Sequence, residues 1–144
     1  MLALGAMPNV GVARGNTNAG GENNMLDPAG YGTLVITKSI SIVNDGLGPE
    51  GVPVPDSGTG ITINAGTTDI INLRGLIIDG AKVGGTCIQF NSGKTLTIEN
   101  CVVRNLAGNG ISFNATGSSN LAGSNTFVAD NAPRGIRILP ASRP

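Results

Sequence analysis

The sequence predicts an all-β domain wound as a parallel solenoid, and three observations carry that expectation. A five-residue phrase recurs as GITIN (60–64), CIQFN (87–91), GISFN (110–114) and GIRIL (135–139). Its apolar residues lie two apart, the period of a strand with one buried face. Its first apolar positions, Leu34, Ile61, Ile88, Ile111 and Ile136, are separated by 27, 27, 23 and 25 residues, a step in the range of repeat architectures. No window of about eleven residues carries a helical period instead.

Taken in chain order, residues 1–19 are rich in Gly, Asn and Ala and are expected to form an irregular lead, with the solenoid domain over 20–144. The opening MLALGAMPNVGVARG has no basic start, and its apolar run is too short for a secretory core or a bilayer span. The first rung is Leu34–Ile36. A second phrase follows each rung: SISIVN (39–44), IINLRG (70–75), TLTIEN (95–100) and NLAGSN (120–125). Its inward pairs are Ile40/Ile42, Ile71/Leu73, Leu96/Ile98 and Leu121/Gly123. It closes at Asn44, Gly75, Asn100 and Asn125, residue types that accept a left-handed backbone at low cost. Asn100 and Asn125 are expected to stack as an amide ladder that satisfies the corner. A third phrase comes directly after: LIID (76–79), CVVR (101–104) and TFVA (126–129). The insertion GVPVPDSGTG (51–60) lengthens one turn, and its prolines predict a surface loop outside the strand ladders. Three four-residue strands in 25 residues cannot return as hairpins. Each must pair with its counterpart one turn on, so that every coil buries its face against the next.

The GI-x-F/I-N phrase followed by L-T-I-x-N-C-x-V-x-N resembles the repeat of the pectin-lyase-like superfamily, over about residues 20 to 140. GGENNMLDPAGYGTLVITKSISI (20–42), INLRGLIIDG and GKTLTIENCVVRN are similar to uncharacterised bacterial members of that group. The resemblance implies a single right-handed parallel β-helix with three strands per coil and about five coils, an extracellular setting, and polysaccharide as the ligand class. Lyases of the superfamily hold calcium with acidic side chains along one outer strand stack and use Arg or Lys as base. The matching outward column here is Val35, Thr62, Gln89, Ser112 and Arg137, which has no carboxylate. A calcium site needs several charged oxygens, so no catalytic role is carried over. Thr62, Gln89, Ser112 and Arg137 remain candidate glycan-binding residues. Members of the fold usually open with a short amphipathic capping helix; no such pattern occurs in 1–19, and GIRILPASRP stops straight after a rung. Both ends therefore read as uncapped or truncated.

Composition narrows the function classes. Nine basic and nine acidic residues balance, leaving no positive excess to hold nucleic acid. The chain has no histidine and no tryptophan, hence neither the usual general base nor the best sugar-stacking ring. Cys87 and Cys101 lie outside any CxxC or His pattern, so no metal and no cofactor is assigned, and they read as small half-buried hydrophobes. Asp79, Arg104 and Asp130, with Asn105 and Asn131 beside them, recur near one corner and read as a stacked surface ion pair. The other outward column, Ser41, Asn72, Thr97 and Ala122, is small and weakly polar. The resulting expectation is a non-catalytic structural or interaction module that associates with itself through its coil ends, head to tail, and so could extend into a filament. The alternative is a carbohydrate-binding or degenerate polysaccharide-lyase-like protein. Neither nucleic acid nor membrane is expected as a partner.

Overall fold

The computed structural model describes residues 2–3, 17–24, 32–44, 52–139 and 141. Most of the expected lead, the MLDPAGY part of the resemblance stretch, and residues 140 and 142–144 lie outside the described residues. Among the described residues there are fifteen strands and no helix: β1 (Leu2–Ala3), β2 (Gly21–Asn24), β3 (Leu34–Ile36), β4 (Ile40–Val43), β5 (Val52–Pro53), β6 (Thr59–Asn64), β7 (Ile70–Arg74), β8 (Ile77–Asp79), β9 (Thr86–Ser92), β10 (Thr95–Glu99), β11 (Val102–Leu106), β12 (Ile111–Asn114), β13 (Asn120–Ser124), β14 (Phe127–Asn131) and β15 (Ile136–Leu139). They build three parallel sheets. Sheet one runs β1-β2-β4-β7-β10-β13, sheet two β15-β12-β9-β6-β3, and sheet three β14-β11-β8-β5. From β3 onward the chain visits sheets two, one and three in rotation, so this is a parallel β-solenoid with three strands per coil. It makes about four turns rather than about five coils, because five equivalent rungs enclose one turn fewer than their number.

The register stacks equivalent positions as the period requires. Leu34, Ile61, Ile88, Ile111 and Ile136 form one column of sheet two, and Ile36, Ile63, Phe90, Phe113 and Ile138 the next. The Phe90 and Phe113 rings stack with centroids 4.3 Å apart. In sheet one Ile40, Ile71, Leu96 and Leu121 align, as do Ile42, Leu73, Ile98 and Gly123. Sheet three adds Val52, Ile78, Val103 and Val128. Each fully buried aliphatic side chain in these columns contributes about 1.5–3 kcal/mol of burial, which is why an otherwise Gly-rich chain stays wound.

The corners are closed by their own polar groups. Gly75, Asn100 and Asn125 take φ of 70°, 53° and 44°, and the Asn125 amide donates to Asn100 Oδ1 at 2.7 Å. The expected ladder is present, although it lies on the exposed side of the corner. Gly75 interrupts it because the backbone crowds there: a Cβ would stand 1.8 Å from the Asn44 carbonyl oxygen. At the opposite corner the Ser39 hydroxyl donates to Asp69 at 2.8 Å, while Ile70 N–H donates to that hydroxyl at 3.0 Å.

The 51–60 insertion differs from expectation. Val52–Pro53 is a strand at the edge of sheet three, in register with Ile78 and Asp79, and Val52 and Val54 are buried in the core. Proline is excluded from inner strands because it lacks a ladder donor, whereas an edge strand tolerates it. Sheet one likewise reaches back into the lead, where Leu2–Ala3 pairs with Asn23–Asn24.

The two edges of sheet two are unlike. Leu34 and Ile36, on the first rung of sheet two, are 1% and 0% exposed, whereas Ile136 and Ile138 of the same columns are 50% and 61% exposed. In the last coil Gly123 succeeds Ile98, which leaves a hollow of about 380 Å³ lined in part by Ile98, Leu121, Val128 and Ile136. Other positions of this coil turn polar. Asn131 follows Leu106 in register and donates to the Val103 carbonyl at 3.2 Å. Thr126, 25 residues after Cys101, donates to the Ser124 carbonyl at 2.9 Å. The sheet-three side of the coil is thus partly sealed by side-chain hydrogen bonds, although Phe127 on β14 stands 58% exposed, and the sheet-two side is left apolar.

Candidate functional site

Sheet two places the four candidate residues in one outward column. Thr62 lies beside Gln89, Gln89 beside Ser112, and Ser112 beside Arg137, at the strand spacing of about 4.8 Å. The even alternation of these strands sets that direction: the neighbours Ile61 and Ile63, or Ile88 and Phe90, point inward and are buried. Ser112 departs from the expected solvent-facing position and is only 1% exposed. A hydroxyl is short, and the longer Gln89 and Arg137 side chains flank it in the register. Alternation gives a side chain's direction but not what shades it.

Beside this column runs an amide strip that sequence reasoning did not assign to it. A bulge between Ile63 and Asn64 sets Asn64 opposite Ser92 and leaves Asn91 as the extra residue. The Asn91 amide donates to Asn64 Oδ1 at 2.8 Å, and the Gln89 amide donates to Asn91 Oδ1 at 2.9 Å. The N in GITIN and CIQFN was its visible signal. These groups can meet the hydroxyls of a sugar, yet some of their capacity is already used within and between rungs, and the column offers no carboxylate for proton transfer, Arg137 being its one ionisable group.

The sheet-three corner keeps part of its expected arrangement. Arg104 Nε donates to Asp79 Oδ2 at 2.9 Å, and the Asn105 amide reaches the same carboxylate at 3.1 Å. Asp130 does not complete the set. Ala129 is the residue in register with Arg104, so Asp130 falls at the Asn105 level, where both backbones are left-handed with φ of 54° and 59°. Partial burial of Asp79 acts to raise its pKa, but the Ala81 N–H, Arg104 and Asn105 outweigh it and hold the carboxyl below its ordinary value. A lowered carboxyl stays ionised, which suits a staple and not a general acid.

The outward column of sheet one forms as expected, Ser41 beside Asn72, Asn72 beside Thr97, and Thr97 beside Ala122. The Asn72 amide donates to Ser41 Oγ at 3.1 Å. A shallow groove of about 190 Å³ there is edged by Glu22 and Glu99. Cys87 and Cys101 are free thiols, both fully buried. Burial pushes each thiol up from its usual pKa, so neither carries the thiolate that nucleophilic or metal chemistry needs. Among the described residues no three His, Cys, Asp or Glu side chains converge as a metal site.

No protein-family model, no curated protein and no solved structure matches the chain.

Proposed function

We propose that this protein is a non-catalytic β-solenoid serving as a structural or interaction module, and that its partner, a second copy of itself, is met through a coil end. One observation carries the reading: columns buried at the first rung of sheet two stand half exposed at the last, where Ile136 borders a hollow. Open core and unpaired strand edges at a solenoid end favour association with another β edge. Sedimentation velocity over a concentration series tests it. Reversible growth beyond the 14.4 kDa chain is the expected result, and a monodisperse monomer at high concentration overturns it.

A second reading is a carbohydrate-binding or degenerate polysaccharide-lyase-like protein using Thr62, Gln89, Ser112 and Arg137. The alignment of these four polar residues in one column favours it, and the resemblance to the pectin-lyase-like superfamily supplies the ligand class. Polygalacturonate with calcium, followed by the absorbance of unsaturated uronates, tests the enzymatic form. A rate that Arg137→Ala abolishes would place this reading first; no rate, together with no heat of binding, removes it.

A further inference from the structure

We propose that Asn109–Gly110 is a latent self-modification site: the wound coils hold it unreactive, and once they open it converts to aspartate and isoaspartate, which block rewinding. Asn109–Gly110 is the one Asn-Gly pair in the chain. In an open chain such a pair cyclises on its own, because glycine has no Cβ to keep its backbone nitrogen away from the preceding side-chain amide. The Gly110 nitrogen gives its proton to hydroxide and attacks Cγ of Asn109. The N–Cγ bond forms, the Cγ–Nδ2 bond breaks, and the side-chain nitrogen leaves as ammonia with a proton taken from water. Water then opens the five-membered imide. Cleavage at Cγ gives aspartate, and cleavage at the main-chain carbonyl gives isoaspartate. Ammonia is exchanged for water, and no oxidant or cofactor is consumed.

Winding forbids the first step. One peptide plane carries both the Asn109 carbonyl and the Gly110 N–H, and the two face different coils. The carbonyl accepts from the Cys87 N–H at 3.2 Å, while the Gly110 N–H donates to the Arg134 carbonyl at 3.0 Å. Aiming the Gly110 nitrogen at Cγ requires this plane to turn, which breaks both bonds together, and buried backbone groups left unpaired are costly. Gly110 is itself buried, and Asn109 Oδ1 is sealed from solvent, so hydroxide and water are kept from the reacting atoms.

The same fit excludes the products. Isoaspartate routes the main chain through Cβ and Cγ, which adds a carbon before Gly110 and slides it off its partners in both coils. The corner has no slack to absorb this: a Cβ on Gly110 would already stand 2.5 Å from the Gly135 carbonyl oxygen and 2.8 Å from Asn131 Nδ2. Aspartate sets a charge where the amide oxygen is buried, which is costly without a partner. Because each coil is supported by its neighbours, a lesion here separates the coils on either side of it.

The test follows the full chain at mildly alkaline pH, in native buffer and in guanidinium chloride, with peptide mass spectrometry and an isoaspartate assay at Asn109. Conversion is expected to be at least about tenfold slower in native buffer, since only the opened fraction reacts. After removal of denaturant, the circular dichroism signal should fall short by the fraction converted. Asn109→Gln, which keeps the amide but cannot close a five-membered ring, should refold fully after the same incubation. Wild type held in mildly acidic denaturant, where hydroxide is scarce, should also refold fully, and this control needs no variant. Equal conversion in native buffer and denaturant overturns gating by the coils. Converted chains that regain the native spectrum and unfolding midpoint overturn the block on rewinding.

Discussion

At Gly75 the backbone carries the argument. Its φ of 70° and the 1.8 Å approach of a would-be Cβ to the Asn44 carbonyl leave no room for any side chain, including an asparagine that would complete the ladder. Gly75→Ala is expected to cost about 2–4 kcal/mol, from left-handed strain and overpacking together, read as a fall in the urea midpoint at constant slope. Two carboxylates make stability depend on pH. The Ser39 hydroxyl, with the Gly66 N–H, holds Asp69 below the ordinary carboxyl value of 3.8 against the opposing effect of burial, and Asp79 is lowered likewise. Groups lowered on folding take up protons first in the unfolded chain. Their contribution is complete above the ordinary value and is lost as pH falls through it toward the folded values. Unfolding midpoints should therefore drop below about pH 5, and Asp69→Asn should flatten that slope. An unchanged slope would remove the staple from the account. Neither the Ser39–Asp69 bond nor the shading of Ser112 was legible in the sequence, because each joins residues whose corner geometry no spacing encodes.

Strands were the most legible level. Sheets one and two follow from alternation and from a step near 25, because parallel pairing with the next coil leaves a strand only one inward face. Two misplacements have physical causes. The prolines around Val52–Pro53 point to a loop because proline is excluded from an inner strand, whereas inward valines and edge position make the pair the first rung of sheet three. Approximate spacing puts Asp130 with Arg104, but the register pairs Arg104 with Ala129 and leaves Asp130, itself left-handed, one place along. For a central strand the expectation is sharp. Ile98 on β10 lies between β7 and β13, inward and buried. Ile98→Asp should abolish folding, because a lone buried carboxylate costs several kcal/mol against a net stability of about 5–15 kcal/mol. Thr97→Ser, on the outward side of the same strand, should stay within about 0.5 kcal/mol. Circular dichroism and chemical denaturation distinguish the two, and a folded Ile98→Asp would contradict the inward assignment.

Over the whole molecule, each coil is supported only by its neighbours, so stability should grade along the axis. In dilute solution, amide exchange is expected to be slowest in β6–β10 and fastest in β13–β15, with protection of β15 rising as concentration increases. Uniform protection at all concentrations would mean that the last coil is as well covered as the middle. The repeat made the solenoid legible, but the difference between its ends was not, since exposure of Ile136 and Ile138 depends on what lies above them and not on their own letters. The interred sulfurs of Cys87 and Cys101, finally, turn the winding into its own chronometer. Cys87 lies in β9 and Cys101 directly before β11 of the same coil, each out of reach of an aqueous maleimide while the coil is shut. The speed at which each is alkylated would therefore log how often its particular stretch of the spring uncoils, with no probe added to the chain.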